Sequence, residues 1–273
     1  MKIEDIKDII YVKEDSGICT ATINAPERKN AMSLVTFLEL ETILEDMDAD
    51  KNAHVLILTG SSEGNAFSSG GYFNLNLYPN LPPEILKELD LQDLALKSLW
   101  LKFWNFSKPV IAAINGLAVG AAASIAIIGA DLVYMAEDAW FGFYFVKRSM
   151  MAEFGSHFML PFRLGFQKAK ELLYFGRKIM AEEAEQLGFV NKVLSSNELM
   201  AYAREQALRL IPPTGPSLSI KLMKKTMHEY FKNIIPPILD LENESLRALM
   251  KTSDFRASMK SLATKKPPVF KGK

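Results

Sequence analysis

Phe67-Ser68-Ser69-Gly70-Gly71 is the first of two small-residue turns in this chain, and the second is Asn115-Gly116-Leu117-Ala118-Val119-Gly120-Ala121. Each turn follows an apolar run that is typical of a buried strand and begins at Val55 or at Val110. Small residues let a carbonyl group approach the main chain, and an N–H at a helix start carries the positive end of the helix dipole. The turns therefore predict two backbone donors aimed at one oxygen, which suits a developing oxyanion on a polarised acyl group.

The composition favours a small molecule as the binding partner. The 273 residues suffice for one large core, or for one core with a smaller module. The 32 basic and 32 acidic residues cancel, so no overall field attracts nucleic acid or an anionic membrane. Cys19 is the single cysteine, which excludes an intramolecular disulfide and a cysteine metal site and fits a reducing compartment. We expect a cytoplasmic protein without a metal.

The sequence predicts neither targeting nor membrane insertion. Residues 1–8 interleave charged and apolar side chains, unlike a secretory signal, and Lys271-Gly272-Lys273 is no peroxisomal signal. The run from Val110 to Ala130 has no charged residue. However, Asn115-Gly116 divides this run into a buried strand and a helix of about ten residues, which is too short to cross a bilayer.

The order of the predicted elements indicates an α/β fold. A helix from Ser33 to Met47 has Ser33 as its N-cap and apolar residues at helical spacing. From Ser196 onward the pattern is helical, and the segment from Tyr72 to Trp104 predicts either a lid or a surface helix that covers the core. Strands are expected near 18–23, at 55–59, from 110, at 131–135, at 140–143 and at 189–194.

Several longer stretches resemble the crotonase superfamily. Ile23-Asn24-Ala25-Pro26-Glu27-Arg28-Lys29-Asn30-Ala31-Met32 looks like its opening motif, and Lys266-Pro267-Pro268-Val269-Phe270-Lys271-Gly272 resembles its usual end. Between them, residues 53–60, 65–71 and 108–116 carry the same likeness. The resemblance therefore spans nearly the whole chain.

The resemblance implies a crotonase-like spiral of β-β-α units followed by a C-terminal helical oligomerisation module. Residues 1–195 would form the acyl-CoA-binding core, and residues 196–273 would form the helical trimerisation region. Related proteins pack these helices into trimers that are often doubled to hexamers, so a homotrimer or hexamer is expected. No repeat is visible in the sequence, and the spiral rests on the resemblance.

The resemblance places the oxyanion donors at the N–H groups of Gly71 and Ala121. Both residues are small, as the close approach of a thioester oxygen requires. A hydratase of this superfamily positions water with two glutamates, which would fall at Ser124 and Phe145. Neither residue is acidic, so simple hydration of an enoyl-CoA is disfavoured. Ser124 and Phe145 are expected in the substrate pocket.

One carboxylate remains for proton transfer. Met151-Ala152-Glu153-Phe154-Gly155-Ser156 resembles the Pro-Glu-Gly segment of peroxisomal-type Δ3,Δ2-enoyl-CoA isomerases, in which a single glutamate is the base. A lone carboxylate suffices for a double-bond shift, because it removes a proton beside the thioester carbonyl and returns it two carbons along. Glu153 is the predicted base, and apolar neighbours would raise its pKa. The alternative is an ordinary exposed carboxylate at a helix start.

Three further side chains are candidates for the substrate pocket. His157 lies four residues after Glu153 and would share its face of a helix. Tyr72 replaces an aspartate that is frequent in the superfamily, and either Tyr72 or Tyr144 would orient an acyl chain or a water through its hydroxyl.

Coenzyme A is expected as part of the substrate, and no separate cofactor is expected. In related proteins the stretch that holds Arg28 and Lys29 contacts the nucleotide, and the tail with Phe270 and Lys271 approaches it. Ser69 in the first turn is a further candidate contact. Basic side chains suit phosphate groups, although a solvated charged loop is the alternative for each of them.

The sequence favours an acyl-CoA enzyme that stabilises a thioester enolate, most closely a Δ3,Δ2-enoyl-CoA isomerase. Two alternatives stay open. One is a hydratase or ring-opening hydrolase that acts on an unusual or cyclic enoyl-CoA. The other is a catalytically degenerate scaffold that binds CoA thioesters without turnover.

Overall fold

The computed structural model of the chain describes residues 1–72 and 81–273. Its strands are β1 (Ile9–Lys13), β2 (Ile18–Ile23), β3 (Val55–Gly60), β4 (Ala66–Ser68), β5 (Val110–Ile114), β6 (Leu117–Val119), β7 (Leu132–Ala136), β8 (Trp140–Gly142), β9 (Ile179–Met180) and β10 (Lys192–Leu194). They form a six-stranded sheet in the order β1-β2-β3-β5-β7-β10 and a four-stranded sheet in the order β4-β6-β8-β9.

Helices connect and follow these strands. Ser33 caps the first helix, because its Oγ accepts the N–H of Thr36 at 3.3 Å while Thr36 Oγ1 accepts the N–H of Ser33 at 3.0 Å. The helices are α1 (Leu34–Ala49), α2 (Pro83–Glu88), α3 (Lys97–Asn105), α4 (Ala121–Ser124), α5 (Ser156–Leu164), α6 (Phe166–Phe175), α7 (Ala181–Gln186), α8 (Leu199–Leu210), α9 (Ser217–Glu229), α10 (Ile235–Leu249) and α11 (Ser253–Thr264).

A β-β-α unit recurs three times along the chain. β3 leads into β4 and then α2, β5 leads into β6 and α4, and β7 leads into β8 and α5. The first strands of these units pair in parallel in the large sheet, and the second strands pair in parallel in the small sheet. The chain therefore winds as a spiral, which confirms the predicted α/β fold.

The core lies on both faces of the large sheet. Every residue of β3 and of β5 is buried, as expected for central parallel strands that are covered on both sides. α8 packs against β3, β5 and β7. α3 buries Leu99, Trp100 and Phe103, as a helix that covers the core does. The lid or surface helix expected between Tyr72 and Trp104 falls partly outside the described residues, which omit 73–80.

Two predicted elements differ from the structure. The strand expected at 189–194 begins only at Lys192, because the N–H groups of Phe189 and Val190 bond to the carbonyl oxygen of Ala184 in α7. The surface helix expected between Tyr72 and Trp104 is divided, in the described residues, into α2 and α3. Leu96 has a φ of 56°, so the backbone turns just before α3 instead of continuing as one helix.

The C-terminal helices contact the strands and helices that precede them. α10 packs against α3 and α5. α9 exposes large apolar side chains, which are Leu218, Leu222, Met223 and Met227. Within residues 1–72 and 81–273, no helix has the length and apolar character needed to span a membrane.

A buried carboxylate on α1 fixes the segment that leads into β1. Glu39 is fully buried, and its Oε1 accepts the N–H groups of Lys7 at 2.8 Å and Asp8 at 3.2 Å. Burial raises the pKa of Glu39 from 4.5 to about 7, against the opposing effect of these backbone donors. The protonated carboxyl group of Glu39 therefore stabilises the folded protein fully below pH 4.5. This contribution to the free energy of unfolding is lost as the pH rises through about 7.

We expect Glu39→Gln to abolish this pH dependence. The free energy of unfolding of the variant minus that of the parent should increase by about 3 kcal/mol from about pH 4 to about pH 8. Urea unfolding at both pH values measures the change. Glu205→Gln, at an exposed position of α8, should show no such rise, and a Glu39→Gln difference that is equal at both pH values would contradict the prediction.

Candidate active site

The two small-residue turns meet at one edge of the small sheet. β4 and β6 run parallel with Ser68 opposite Ala118, so the turns that follow them leave the sheet at the same edge. The turns are in close contact, since a Cβ built on Gly70 would lie 2.5 Å from the carbonyl oxygen of Val119 and 3.9 Å from the nitrogen of Ala121. Gly70 has a φ of 97°, and only glycine fits this approach without strain.

The amides of Gly71 and Ala121 are outside the regular hydrogen-bond ladders. Met32 donates its N–H to the oxygen of Gly70 at 2.8 Å and accepts the N–H of Tyr72 at 2.7 Å. This bridge leaves the N–H of Gly71 on the opposite side of the extended backbone. Ala121 is the first residue of α4, and the first N–H groups of a helix have no partner within it.

Gly71 and Ala121 line one cavity of about 470 Å³. Aromatic and apolar side chains contribute much of its remaining wall, and two basic side chains, Lys147 and Arg148, lie beside them. Two of the apolar residues come from α11. The lining residues are Ser69, Gly70, Gly71, Val119, Gly120, Ala121, Tyr144, Phe145, Lys147, Arg148, Met150, Glu153, Met259 and Leu262.

Glu153 is the only carboxylate among the described residues that line this cavity. The residue is 7% exposed, and its pKa is raised well above 4.5. Burial is the main cause, because the charged form loses its solvation, and the negative charges of Glu242 and Asp93 add to it. Once ionised, such a carboxyl group is a stronger base than an exposed glutamate.

A strained turn presents Glu153 to the cavity. Phe154 and Gly155 both have positive φ values, 61° and 68°, so the backbone reverses between Glu153 and the start of α5. The ring of Phe154 is fully buried and packs edge-on against Phe103, with 6.0 Å between the centroids. The N–H of Phe154 donates to Ala95 at 3.1 Å. Packing of this aromatic ring therefore offsets the backbone strain.

A second buried carboxylate holds the same turn from the other side. Glu242 on α10 is 1% exposed, and its Oε2 accepts the N–H of Gly155 at 2.9 Å. Its Oε1 lies 2.8 Å from Nδ1 of His157 and accepts the backbone N–H of that residue at 3.3 Å. The C-terminal part of the chain thus contributes directly to the surroundings of Glu153.

The structure does not bring His157 or Ser124 into the lining of the cavity, as far as the described residues show. His157 was expected on the helix face of Glu153, but α5 begins only at Ser156, so Glu153 lies outside the helix. The imidazole contacts Glu242 instead. Ser124 is fully buried, and its Oγ lies 3.3 Å from Oγ of Ser156.

The two predicted tyrosines differ in position. Tyr144 lines the cavity next to Phe145, and burial raises its pKa. Tyr72 follows Gly71, but its ring lies beneath the guanidinium of Arg28, 4.8 Å from the ring centroid. Of the two tyrosines, Tyr144 is the one that lines the cavity in the described part of the chain.

The predicted contacts for coenzyme A fall into two groups. Ser69 lines the cavity and connects it to the loop of Arg28 and Lys29. The backbone N–H of Ser69 donates to the carbonyl oxygen of Lys29 at 3.0 Å, and the Oγ of Ser69 donates to the carbonyl oxygen of Arg28 at 3.1 Å. The guanidinium of Arg28 itself pairs with Asp8 at 2.6 Å.

The tail residues lie elsewhere. The backbone N–H of Lys271 donates to Asp254 Oδ1 at 2.7 Å, which ties the tail to the start of α11. Phe270 is exposed, and neither tail residue is part of the cavity lining in the described chain.

Sequence reasoning missed Glu242 and the two residues of α11 that line the cavity. One signal for Glu242 was present, because Leu239, Glu242 and Leu246 follow one another at helical spacing and share the buried face of α10. A charged residue within an apolar stripe indicates a buried partner. Its partners near Gly155 are 87 residues away in sequence, and no local pattern identifies them. The described chain holds no group of three or more His, Cys, Asp or Glu side chains suited to a metal ion.

Comparison with known proteins identifies the family of this chain. Residues 13–273 match the sequence model described as enoyl-CoA hydratase/isomerase. The chain is 30% identical over 268 residues to the 1,2-epoxyphenylacetyl-CoA isomerase of Escherichia coli (strain K12), covering 97% of this chain and 99% of that protein. It is 32% identical over 226 residues to the peroxisomal enoyl-CoA delta isomerase 3 of Mus musculus, covering 82% and 69%.

A solved structure shares the fold. The crystal structure of an enoyl-CoA hydratase/isomerase from Pseudoalteromonas atlantica T6c matches with a TM-score of 0.83 and 22% identity, covering 97% of this chain and 100% of that chain. The chain belongs to the enoyl-CoA hydratase/isomerase family, within the crotonase superfamily. It is accordingly an enzyme of acyl-CoA thioesters.

Gly70→Ala tests the contact between the two turns. The added methyl group would meet the oxygen of Val119 at 2.5 Å, so we expect loss of binding to an acyl-CoA thioester and destabilisation by about 2–5 kcal/mol from backbone strain and overpacking. Gly188→Ala is the matched control, because Gly188 also has a positive φ but no atom within 4 Å of its built Cβ. It should cost about 1–2 kcal/mol and retain binding. Calorimetric binding and urea unfolding measure both effects, and equal behaviour of the two variants would contradict the prediction.

Proposed function

We propose that this enzyme shifts the double bond of a 3-enoyl-CoA to the 2-position, with Glu153 as the base and the N–H groups of Gly71 and Ala121 as oxyanion donors. One observation carries the proposal: the three residues line one cavity, and Glu153 is its only carboxylate among the described lining residues. A double-bond shift requires a single group that exchanges one proton with the substrate.

In the proposed reaction, Glu153 removes a proton from C2, next to the thioester carbonyl. The electron pair of that C–H bond moves toward the carbonyl and gives a dienolate whose negative charge lies mainly on the thioester oxygen. Glu153 then returns the proton to C4, the carbonyl group is restored, and the double bond moves from C3–C4 to C2–C3. No water and no oxidant are consumed.

The main-chain donors supply the stabilisation that this intermediate requires. Donors aimed at the thioester oxygen bind the dienolate more tightly than the neutral substrate, and removal of one such donor in other enzymes costs on the order of 3 kcal/mol of barrier. Gly71 and Ala121 contribute main-chain donors, and Tyr144, Phe145 and Met150 supply a largely apolar wall. A wall of this kind strengthens the hydrogen bonds to the oxyanion.

The raised pKa of Glu153 fits the task of the base. Its carboxyl group keeps a proton to higher pH than an ordinary glutamate because of burial and nearby negative charge. The ionised form is the active base, so kcat/KM should rise with pH as Glu153 ionises, along an acid limb well above pH 4.5.

Hydration is less well supported by the residues present. The resemblance to the superfamily places the two water-holding positions of a hydratase at Ser124 and Phe145. Ser124 contacts Ser156 away from the cavity lining, and Phe145 has no group that accepts a proton. Water addition would therefore need a different set of residues.

Glu153→Gln tests the assigned base. We expect kcat with a 3-enoyl-CoA to fall by about 10²- to 10⁴-fold, because the amide cannot accept the proton while its shape is retained. Absorbance of the conjugated 2-enoyl thioester follows the reaction, and binding of an unreactive acyl-CoA should change little. Unchanged turnover in this variant would remove Glu153 from the role of base.

The product distinguishes the proposal from its rivals. A 2-enoyl product without incorporation of solvent oxygen supports isomerisation. Addition of water would favour the hydratase or ring-opening alternative, and binding without conversion across a panel of acyl chains would favour a scaffold.

A second candidate is isomerisation of a ring-bearing acyl-CoA. The relative from E. coli is named 1,2-epoxyphenylacetyl-CoA isomerase and matches over 97% of this chain, and the cavity wall includes Tyr144 and Phe145, on which a ring would pack. A panel that contains straight-chain and cyclic substrates compares the two, with kcat/KM as the measure.

The expected homotrimer or hexamer belongs to the same proposal. The exposed apolar side chains of α9, such as Leu218 and Met227, are suited to burial against another subunit. Light scattering coupled to size exclusion should give three or six times the monomer mass of 30.6 kDa, and a monomeric mass would contradict the assembly.

A further inference from the structure

The carboxylate of Glu242 is built into the turn that carries Glu153. It lies on α10, is almost fully buried, and uses both oxygens, one for the N–H of Gly155 and the other for the imidazole and backbone of His157. Gly155 lies two residues after Glu153, and His157 is in the first turn of α5. The carboxylate therefore spans the turn and the beginning of the helix.

This arrangement restrains the backbone that follows Glu153. Phe154 and Gly155 have positive φ values, and a backbone of this kind persists only where its surroundings hold it. The hydrogen bond from Gly155 to Glu242 supplies one such restraint, and the N–H of Phe154, which donates to Ala95, supplies another. The two restraints come from different parts of the chain.

Asn243, beside Glu242, connects these two restraints. Its Oδ1 accepts the N–H of Ala95 at 2.7 Å, and its Nδ2 donates to Oδ1 of Asp93 at 2.9 Å. α10 therefore holds both the segment before α3 and the turn after Glu153. Both Asp93 and Glu242 place negative charge near Glu153.

The titratable groups around Glu153 come from four parts of the fold. Glu242 lies on α10, Asp93 lies in the segment before α3, and His157 lies on α5. The basic side chains Lys147 and Arg148 belong to the turn after β8 and line the same cavity. Of these groups, Glu242 and Asp93 act to keep Glu153 protonated.

We propose that Glu242 is a positioning residue for the proton-transfer step, which fixes the turn that presents Glu153 and, through its negative charge, strengthens Glu153 as a base. The inference rests on the proposed function, in which Glu153 exchanges the proton with the substrate. Glu242 itself does not line the cavity, within the described residues, and acts through Glu153. His157 belongs to the same cluster, because Nδ1 of its ring lies 2.8 Å from Oε1 of Glu242.

Glu242→Gln separates this role from a purely structural one. The amide oxygen can still accept the N–H of Gly155, whereas the negative charge is removed. We expect the acid limb of kcat/KM to move to lower pH by about one unit, as befits the loss of a like charge close to a carboxyl group. KM should stay within about twofold of the parent, since a residue outside the cavity makes no contact with the substrate.

Glu244→Gln is the matched control. Glu244 lies on the same helix and is exposed, so the substitution makes the same change in charge without touching the turn. Its pH profile should coincide with that of the parent. If Glu242→Gln is correctly folded and its pH profile of kcat/KM also coincides with that of the parent, the inference is overturned.

His157→Leu tests the influence of Glu242 on Glu153 with an expected shift opposite to that of Glu242→Gln. The leucine cannot contact the carboxylate as the imidazole does, so the charge of Glu242 acts on Glu153 with less screening and the acid limb should move to higher pH. His157 is partly exposed, so this variant remains usable where Glu242→Gln does not fold. A limb that is unchanged or moves to lower pH in His157→Leu would overturn the inference.

An infrared titration keeps the inference distinct from the proposed function. The band of the protonated Glu153 carboxyl is identified by its absence in Glu153→Gln, and its pH midpoint should shift downward in Glu242→Gln and upward in His157→Leu. Full turnover by Glu153→Gln, together with these shifts, would refute the proposed base while retaining the influence of Glu242. A midpoint that is the same in the parent, in Glu242→Gln and in His157→Leu would by itself refute the influence of Glu242.

Discussion

The parallel pairing of three short strands is the constraint on which the site depends. β4 and β6 pair with Ser68 opposite Ala118, and β6 and β8 pair with Ala118 opposite Phe141. The carboxyl ends of parallel strands lie at the same edge of a sheet, which is where open α/β sheets place their binding sites. Segments that are far apart in sequence therefore meet at one cavity.

The site joins two kinds of group with opposite requirements. The turns that hold Gly71 and Ala121 depend on the close packing of backbone on backbone at Gly70, where an added Cβ would meet the oxygen of Val119. The pKa of Glu153 is instead raised mainly because burial disfavours the charged form of its carboxyl group. Glycine turns provide the first condition, and the aromatic and methionine side chains of the cavity provide much of the second.

The larger elements could be predicted from the sequence because their signals are local. The apolar runs at β3 and β5 and the Ser33 cap of α1 are short-range patterns, and the structure confirms them. β4 and β6 have three residues each, which is too few to show a period. Strands of this length are stabilised by neighbours that are distant in sequence.

The candidate site was predictable to the same extent. Gly71, Ala121 and Glu153 each belong to a motif that can be read within a few residues, and the structure places them in one cavity. The expectation for His157 failed because it assumed a continuous helix, whereas Phe154 and Gly155 interrupt the backbone before α5. The contact with Glu242 depends on how α10 docks, which a local pattern does not contain.

The docking of α10 also has a consequence for the order of events during synthesis. The turn at Gly155 leaves the ribosome before the carboxylate that accepts its amide, which is separated from it by 87 residues. A nascent chain that ends between Gly155 and Glu242 lacks this hydrogen bond even when its sheets have formed. The hydrogen bond that restrains the turn beside Glu153 is therefore acquired late, after translation has passed α10, and the spiral alone does not contain it.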